Sequence, residues 1–251
     1  KTRRKAEAAA VREAAQTAAL AAGPVIELNG TAIATPANAK YLGSVYRIDG
    51  TADDEITARL AAAQGAAVRL RHSIWHHRQL GAMTKVRFYR SLVLTVLLYG
   101  CESWPMTPPN LLRLEVFHQR RLREILRIKW EKHVSNAEVL RRAGAPSIEV
   151  MLRKARLSWL GHIARMADER TVKRLLFGQI NVTRPLGGTR KTLRRTFEAD
   201  VLFLQGGVPN GVAWYEAAQD RARWRDMVAK ATWDNRGDNA ATATGDVGAD
   251  G

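Results

Sequence analysis

Lys40-Tyr41-Leu42-Gly43-Ser44-Val45-Tyr46-Arg47-Ile48-Asp49-Gly50-Thr51-Ala52-Asp53-Asp54 is where the chain changes character. Up to Ile48 the residues are aromatic and β-branched, as in a strand, and Asp49-Gly50 closes it as a turn. Thr51-Ala52-Asp53-Asp54 then has the form of a capping box and opens a helix predicted to reach about His77. The apolar positions Ile56, Leu60, Ala63, Ala67, Leu70 and Ile74 recur at helical spacing and share one face. Strand chemistry ends here and helix chemistry begins.

On the N-terminal side, Val25-Ile26-Glu27-Leu28-Asn29-Gly30-Thr31-Ala32-Ile33 places Asn-Gly between two short apolar segments, a strong hairpin signal. Lys40 to Ile48 is then the third strand of a small antiparallel sheet. Residues 1–22 are rich in alanine with scattered Arg, Lys and Glu, a composition that favours helix but offers few large apolar anchors. Gly23-Pro24 stops it.

On the C-terminal side a second helix is predicted from about Thr84 to Tyr99. It is apolar on most sides after Leu92, as a central core helix would be, and Gly100-Cys101-Glu102-Ser103-Trp104-Pro105 breaks it. Thr107-Pro108 is a cap followed by proline at the first helical position. On the helix that follows, Leu111, Leu114, Leu122, Ile125 and Ile128 share one side. Arg113, Arg120, Arg123 and Arg127 fall within roughly a quarter-turn on the other, at 100° per residue. A short helix near Asn136 to Ala143 precedes the break at Gly144-Ala145-Pro146. Ser147 caps another long helix with Ile148, Met151, Leu152, Ala155, Trp159, Ile163 and Met166 on its apolar stripe. Asn181 to Lys191 reads as a linker, and two more helices are predicted around Lys191 to Leu204 and Ala213 to Ala231. The Gly/Ala/Asp/Thr tail is expected to be disordered. The fold class is therefore mainly α, with a small N-terminal β hairpin or sheet followed by a helical bundle and further C-terminal helices.

The 251 residues are 46% hydrophobic, enough for one large core or two small ones, and carry a formal charge of +16. The tail from Asp234 holds four Asp against Arg236, so the body alone reaches +19. An arginine-led excess of this size favours a polyanionic partner, although a basic protein can also be merely soluble. Cys101 is the only cysteine, which excludes a disulfide within one chain and a zinc site built on paired cysteines. The apolar run Leu92 to Tyr99 is far below bilayer-spanning length. No secretory signal is visible, so a nuclear or cytoplasmic rather than secreted location is expected, with no membrane partner. The first residue is Lys1, which suggests a fragment or a processed piece.

Several blocks follow one another in a fixed order: Leu28-Asn29-Gly30-Thr31; Lys40-Tyr41-Leu42-Gly43-Ser44; Asp49-Gly50; Leu97-Leu98-Tyr99-Gly100-Cys101-Glu102-Ser103-Trp104; Arg120-Arg121-Leu122-Arg123-Glu124-Ile125-Leu126; and Trp159-Leu160-Gly161-His162-Ile163-Ala164-Arg165-Met166. The succession, over roughly residues 25 to 230, resembles the region after the catalytic palm in LINE-type (non-LTR) retrotransposon reverse transcriptases. The resemblance implies a segment of an RNA-directed DNA polymerase that lacks the catalytic aspartates and is inactive alone. Its implied divisions are a helical lead-in (1–22), a β hairpin with a primer-grip-like strand (23–50) and a thumb-like bundle (51–130). A C-terminal helical segment (131–180), a basic linker with terminal helices (181–233) and a disordered tail (234–251) complete them.

The primer-grip role is implied for Tyr41, Leu42, Gly43 and Ser44, where glycine permits close backbone approach and tyrosine offers a stacking face. An ordinary buried strand with a turn glycine is the alternative. The thumb role implies phosphate contact by Arg113, Arg120, Arg123 and Arg127; a solvated helix face is the alternative, and the scarcity of acids on that stripe favours contact. Relatives commonly carry arginine-proline-arginine-glycine-arginine-proline near Arg184-Pro185-Leu186-Gly187-Gly188-Thr189-Arg190-Lys191. Leu186, Gly188 and Thr189 depart from that pattern, while Arg190, Lys191, Arg194 and Arg195 keep the segment basic and are further nucleic-acid candidates.

No aspartate pair sits in a strand after an aromatic residue; Asp53-Asp54 opens a helix, where it complements the dipole. No cofactor is expected in this chain, and the Mg²⁺ of such a polymerase would sit in the missing palm. His162, beside Trp159, reads as a core histidine with a satisfied ring nitrogen. His72, His76 and His77 include an i, i+4 pair without the glutamate of a helical zinc protease. The expected partners are an RNA/DNA hybrid or duplex and the missing palm and fingers of the same polyprotein. A stand-alone basic nucleic-acid-binding module, or an inert remnant of a decayed element, remains the alternative.

Overall fold

The computed structural model describes residues 27–29, 31–32, 38–47, 50–177, 193–204 and 213–230. The Ala-rich lead-in, the linker from Asn181 to Lys191 and the tail from Asp234 lie outside them. The chain divides into two compact units, Lys1–Arg156 with Thr183–Thr196, and Leu157–Val182 with Phe197–Gly251. The architecture is mostly helical, with its small antiparallel β-structure at the N-terminal side.

The first hairpin forms where Asn29-Gly30 predicts it. Strand β1 (Glu27–Leu28) pairs with β2 (Thr31–Ala32), and Asn29 takes φ +52°. The stretch from Lys40 to Ile48 is not one strand. It folds back on itself, with β3 (Asn38–Tyr41) antiparallel to β4 (Ser44–Arg47) and Tyr41 opposite Ser44. The reversal is Leu42-Gly43, at φ +48° and +85°. Positive φ at both central residues is what a two-residue hairpin loop of type I′ demands, and glycine meets the demand where leucine does so only under strain. The two hairpins are separate two-stranded ladders rather than one three-stranded sheet.

Helix α1 (Asp53–Arg69) has Ala52 at its cap, one residue after the expected Thr51, and alanine has no side-chain acceptor. Asp53, Asp54 and Glu55 do line the first turn, where they complement the dipole. Ile56, Ala63 and Ala67 are buried as their spacing predicts. The α-helix stops short of His77. Trp75 and His76 donate their amides five residues back, to Leu70 and Arg71, making Arg71–Trp75 a wider π turn. The Trp75 indole donates to the Ala67 carbonyl at 2.6 Å and holds that turn against α1.

Helices α2 (Ala82–Phe88) and α3 (Thr95–Leu97) flank a second π segment, Tyr89–Leu94. Tyr89, Val93, Leu94 and Leu97 are buried, but Leu92 is 41% and Tyr99 50% exposed. This is a one-sided helix, not the central one its composition suggests. Gly100, at φ +72°, ends it in a left-handed conformation and leads into a 3-10 turn at Cys101–Ser103.

Helix α4 (Pro108–Ile125) begins after Thr107, with proline at its start. Leu114 and Leu122 are fully buried, each worth about 2–5 kcal/mol against truncation to alanine. Its end differs from expectation. Ile128 donates back to Arg123 and Arg127 to Glu124, a Schellman closure that puts Arg127 itself at φ +54°. Helix α5 (Asn136–Ala143) has the predicted bounds and ends at a left-handed Gly144; Ser135 Oγ, accepting from the Glu138 amide, caps its start. Core packing does not close near residue 130, since Val139, Ala143, Ile148 and Leu152 belong to the same buried cluster as Ile56, Leu97 and Leu114.

Helix α6 (Ile148–Ala164) opens with Ser147 Oγ accepting from the Val150 amide. Ile148, Leu152 and Ile163 are buried, and so are Leu157 and Leu160 off the predicted stripe. His162 is exposed, which corrects its assignment to the core. Ser158, His162 and Arg165 recur at i, i+4 and i+7 and form a polar face of their own. Helix α7 (Thr171–Phe177) has no counterpart in the sequence reading. Helix α8 (Leu193–Leu204) follows, and the last predicted helix is two, α9 (Ala213–Gln219) and α10 (Arg221–Lys230). Asp220 divides them, because its Oδ1 accepts from the amides of Ala222 and Arg223 at 2.9 and 3.0 Å and caps a new helix. Among the described residues no helix is long and apolar enough to cross a membrane.

Candidate nucleic-acid interface

The four grip-like residues stand at the tip of the second hairpin. Tyr41 is 66% and Leu42 75% exposed, so the alternative of a buried strand does not hold. What fixes this exposed tip lies on α1 and at the end of α3. Glu55, itself 3% exposed, accepts the Val45 amide and pairs with Arg59 Nε at 2.7 Å. Arg59 Nη2 donates to the Gly43 carbonyl at 2.7 Å and to Ser44 Oγ at 3.3 Å. The same guanidinium lies 4.4 Å from the centre of the Tyr99 ring, and the Tyr99 hydroxyl donates to the Leu42 carbonyl at 3.2 Å. Gly100 completes the fit, with Ser44 Oγ 3.4 Å from where its Cβ would stand. The Lys40–Ser44 and Leu97–Trp104 blocks, over fifty residues apart, thus meet in space.

The arginine stripe of α4 is not one uniform face. Arg113 donates to Asn110 Oδ1 at 3.2 Å and to Thr57 Oγ1 at 2.7 Å, tying α4 to α1. Arg123 Nη2 donates to the Val134 carbonyl and to Asn136 Oδ1, each at 2.8 Å, holding the connection into α5. Arg120 and Arg127 are exposed and make no hydrogen bond or ion pair with the described residues. Arg120 lines a groove of about 390 Å³ with Gln64, Val68, Arg71, Arg121 and Glu124. Arg121 pairs with Glu124 at 2.8 Å, yet its Nε is buried without an acceptor. Arg190 and Lys191 lie outside the described residues; Arg194 belongs to α8, and Arg195 is exposed on it.

Asp53 and Asp54 do not suit a two-metal site. Asp53 Oδ1 accepts from Asn110 at 2.8 Å, and Asp54 faces Arg47 at 3.4 Å, so both carboxylates are turned to protein partners. Among the described residues no group of three or more His, Cys, Asp or Glu is placed to hold a metal. His72 and His76 are exposed and meet edge to face, 5.7 Å apart.

Two features escape the sequence reading. Arg59 organises the hairpin, and its signal is the i, i+4 spacing from Glu55. His118 is the buried histidine of this chain's first unit, at 0% exposure, and its signal is its place between Leu114 and Leu122 on the apolar side of α4. Comparison of the chain with protein-family models, with curated proteins and with solved structures finds no match.

Proposed function

We propose that this chain is the post-palm segment of an RNA-directed DNA polymerase of the LINE (non-LTR) type, which holds template–primer nucleic acid and does no chemistry alone. The observation that carries the reading is the convergence of two of its sequence blocks. Leu42, Gly43 and Ser44 are pinned by Arg59 and Tyr99, so an exposed aromatic and apolar tip stands on a rigid base. A primer end needs such a base, because positioning fails if the positioning element moves. Arg120 and Arg127, which make no hydrogen bond or ion pair with the described residues, and Arg71, which lines the groove with Arg120, supply cations for a phosphate backbone. Arg113 and Arg123 serve the fold first and the ligand second. The palm, the fingers and the Mg²⁺ would belong to the rest of the same polyprotein.

The test is a titration of the purified chain with an RNA/DNA hybrid across salt concentrations, beside a primer-extension assay with Mg²⁺ or Mn²⁺. Binding is expected to be sequence-tolerant and to weaken steeply with salt, as counterion release requires. No deoxynucleotide incorporation is expected. Binding that stays flat from low to moderate salt, or template-dependent incorporation by a clean preparation, overturns the proposal.

A further inference from the structure

The Trp159–Met166 block has no part in the hairpin or in the α4 stripe, yet it builds a site. Gly161 is buried, and a Cβ there would stand 2.2 Å from Trp224 Nε1. Only glycine lets the indole come this close, and Trp224 Nε1 uses the approach to donate to the Leu157 carbonyl at 2.8 Å. Trp224 is 2% exposed, and through it α10 is seated against α6. That seating places Arg221 and Arg225 of α10 opposite Ser158, His162 and Arg165 of α6, around a cavity of about 440 Å³ with Trp224 in its wall.

Among the described residues no carboxylate lines this cavity. Asp226 of α10 pairs with Lys230 at 2.8 Å, and Asp220, at the start of that helix, accepts from its first amides. Arg165 gives one donor to the Ala218 carbonyl at 2.6 Å and keeps the rest. Arg221 and Arg225 make no hydrogen bond or ion pair with the described residues. Three guanidinium groups, an imidazole and a hydroxyl, with no competing acid among the described residues, make a phosphate-recognition set, and the indole adds an apolar wall.

We propose that the α6–α10 cleft binds the phosphodiester backbone of a nucleic-acid strand, with Arg221, Arg225 and Arg165 on the phosphate oxygens and His162 and Ser158 completing the contact. It rests on the nucleic-acid reading above, through residues that reading does not use. The full chain is titrated with a single-stranded oligonucleotide lacking terminal phosphates, and separately with inorganic phosphate. Total binding is followed by fluorescence anisotropy, and the His162 imidazole signal, assigned with H162Q, by NMR. The oligonucleotide is expected to shift that signal saturably, at a concentration at least tenfold below that needed for phosphate. R221Q/R225Q should abolish the shift and lower the salt slope of binding by about two, one per lost phosphate contact. The matched variant R141Q/R142Q removes two arginines that pair with Glu138 in the other unit and should leave the shift in place.

An oligonucleotide that binds without moving His162, or moves it equally in R221Q/R225Q, overturns this site and leaves the proposed function standing. Phosphate binding as tightly as the oligonucleotide overturns the strand assignment. Absence of any oligonucleotide binding overturns both. Intact near-UV dichroism of the variant, which reports the Trp224 environment, separates lost contact from lost fold.

Discussion

The Tyr89 hydroxyl and His118 Nδ1 lie 2.9 Å apart in the buried core, with His118 Nε2 3.2 Å from the Pro146 carbonyl. A carbonyl only accepts, so Nε2 carries the ring proton, and Nδ1 accepts from the phenol. Burial pushes the imidazole down to about 4 and the phenol well above its usual range.

Stability should therefore depend on pH through His118. The folded state binds its second proton only near pH 4, the unfolded chain near 6.5. Between those values the unfolded chain holds more protons, so stability present above pH 6.5 is lost as pH falls toward 4. The loss amounts to about 3 kcal/mol. Chemical denaturation from pH 7 to pH 4 measures it, and H118Q should flatten the slope in that window. An unchanged slope in the variant would assign the acid sensitivity to the carboxylates instead.

Arg59 should hold the second hairpin more firmly than Tyr99 does. R59Q leaves Glu55 buried without its ion pair and frees the Gly43 carbonyl; removal of one partner from such a pair costs about 3–5 kcal/mol. Y99F removes one exposed hydrogen bond, worth about 1 kcal/mol. Amide exchange at Val45 reads the difference directly. Equal protection in R59Q and the parent would mean that the hairpin needs no tether.

Arg127 sits at φ +54° in the glycine position of a helix closure. R127G should stabilise the chain by up to about 1 kcal/mol, although it removes a charge. The same variant should weaken hybrid binding if Arg127 meets phosphate. A thermal melt and a salt titration on one preparation decide both points, and a lowered melting temperature would contradict the backbone argument.

Arg120 and Arg123, neighbours on one helix, should separate cleanly. R123Q removes donors to Val134 and Asn136, so it lowers stability by about 1–3 kcal/mol. R120Q, at an exposed position that pairs with no described residue, leaves the melt unchanged and lowers the salt slope of binding by about one. Identical behaviour of the two variants would mean that the arginine stripe is uniform after all.

Gly161→Ala should be severe for so small a change. Its new methyl meets the Trp224 indole, and overpacking of this kind costs about 1–3 kcal/mol. Near-UV dichroism should lose the Trp224 signature even where helix content persists. A variant as stable as the parent, with that signature intact, would show that the indole can move aside.

The sequence by itself determined the elements whose causes are local. Asn29-Gly30 makes the first hairpin, Ser135 and Gly144 bound α5, Ser147 starts α6, and helical spacing buries Ile56, Leu114 and Leu122. In each case the signal and its consequence lie within a few residues, where backbone sterics and short-range hydrogen bonds dominate. Tertiary structure decided what depends on distant partners. Lys40–Ile48 carries good strand residues, but its reversal at Leu42-Gly43 is held by Arg59 and Tyr99. The arginines of α4 share a face, yet Thr57, Asn110, Val134 and Asn136 determine which of them remain free. His162 exchanges its expected core place for an exposed one, and His118 takes the buried role, because periodicity names the faces of a helix without saying which neighbour will cover them.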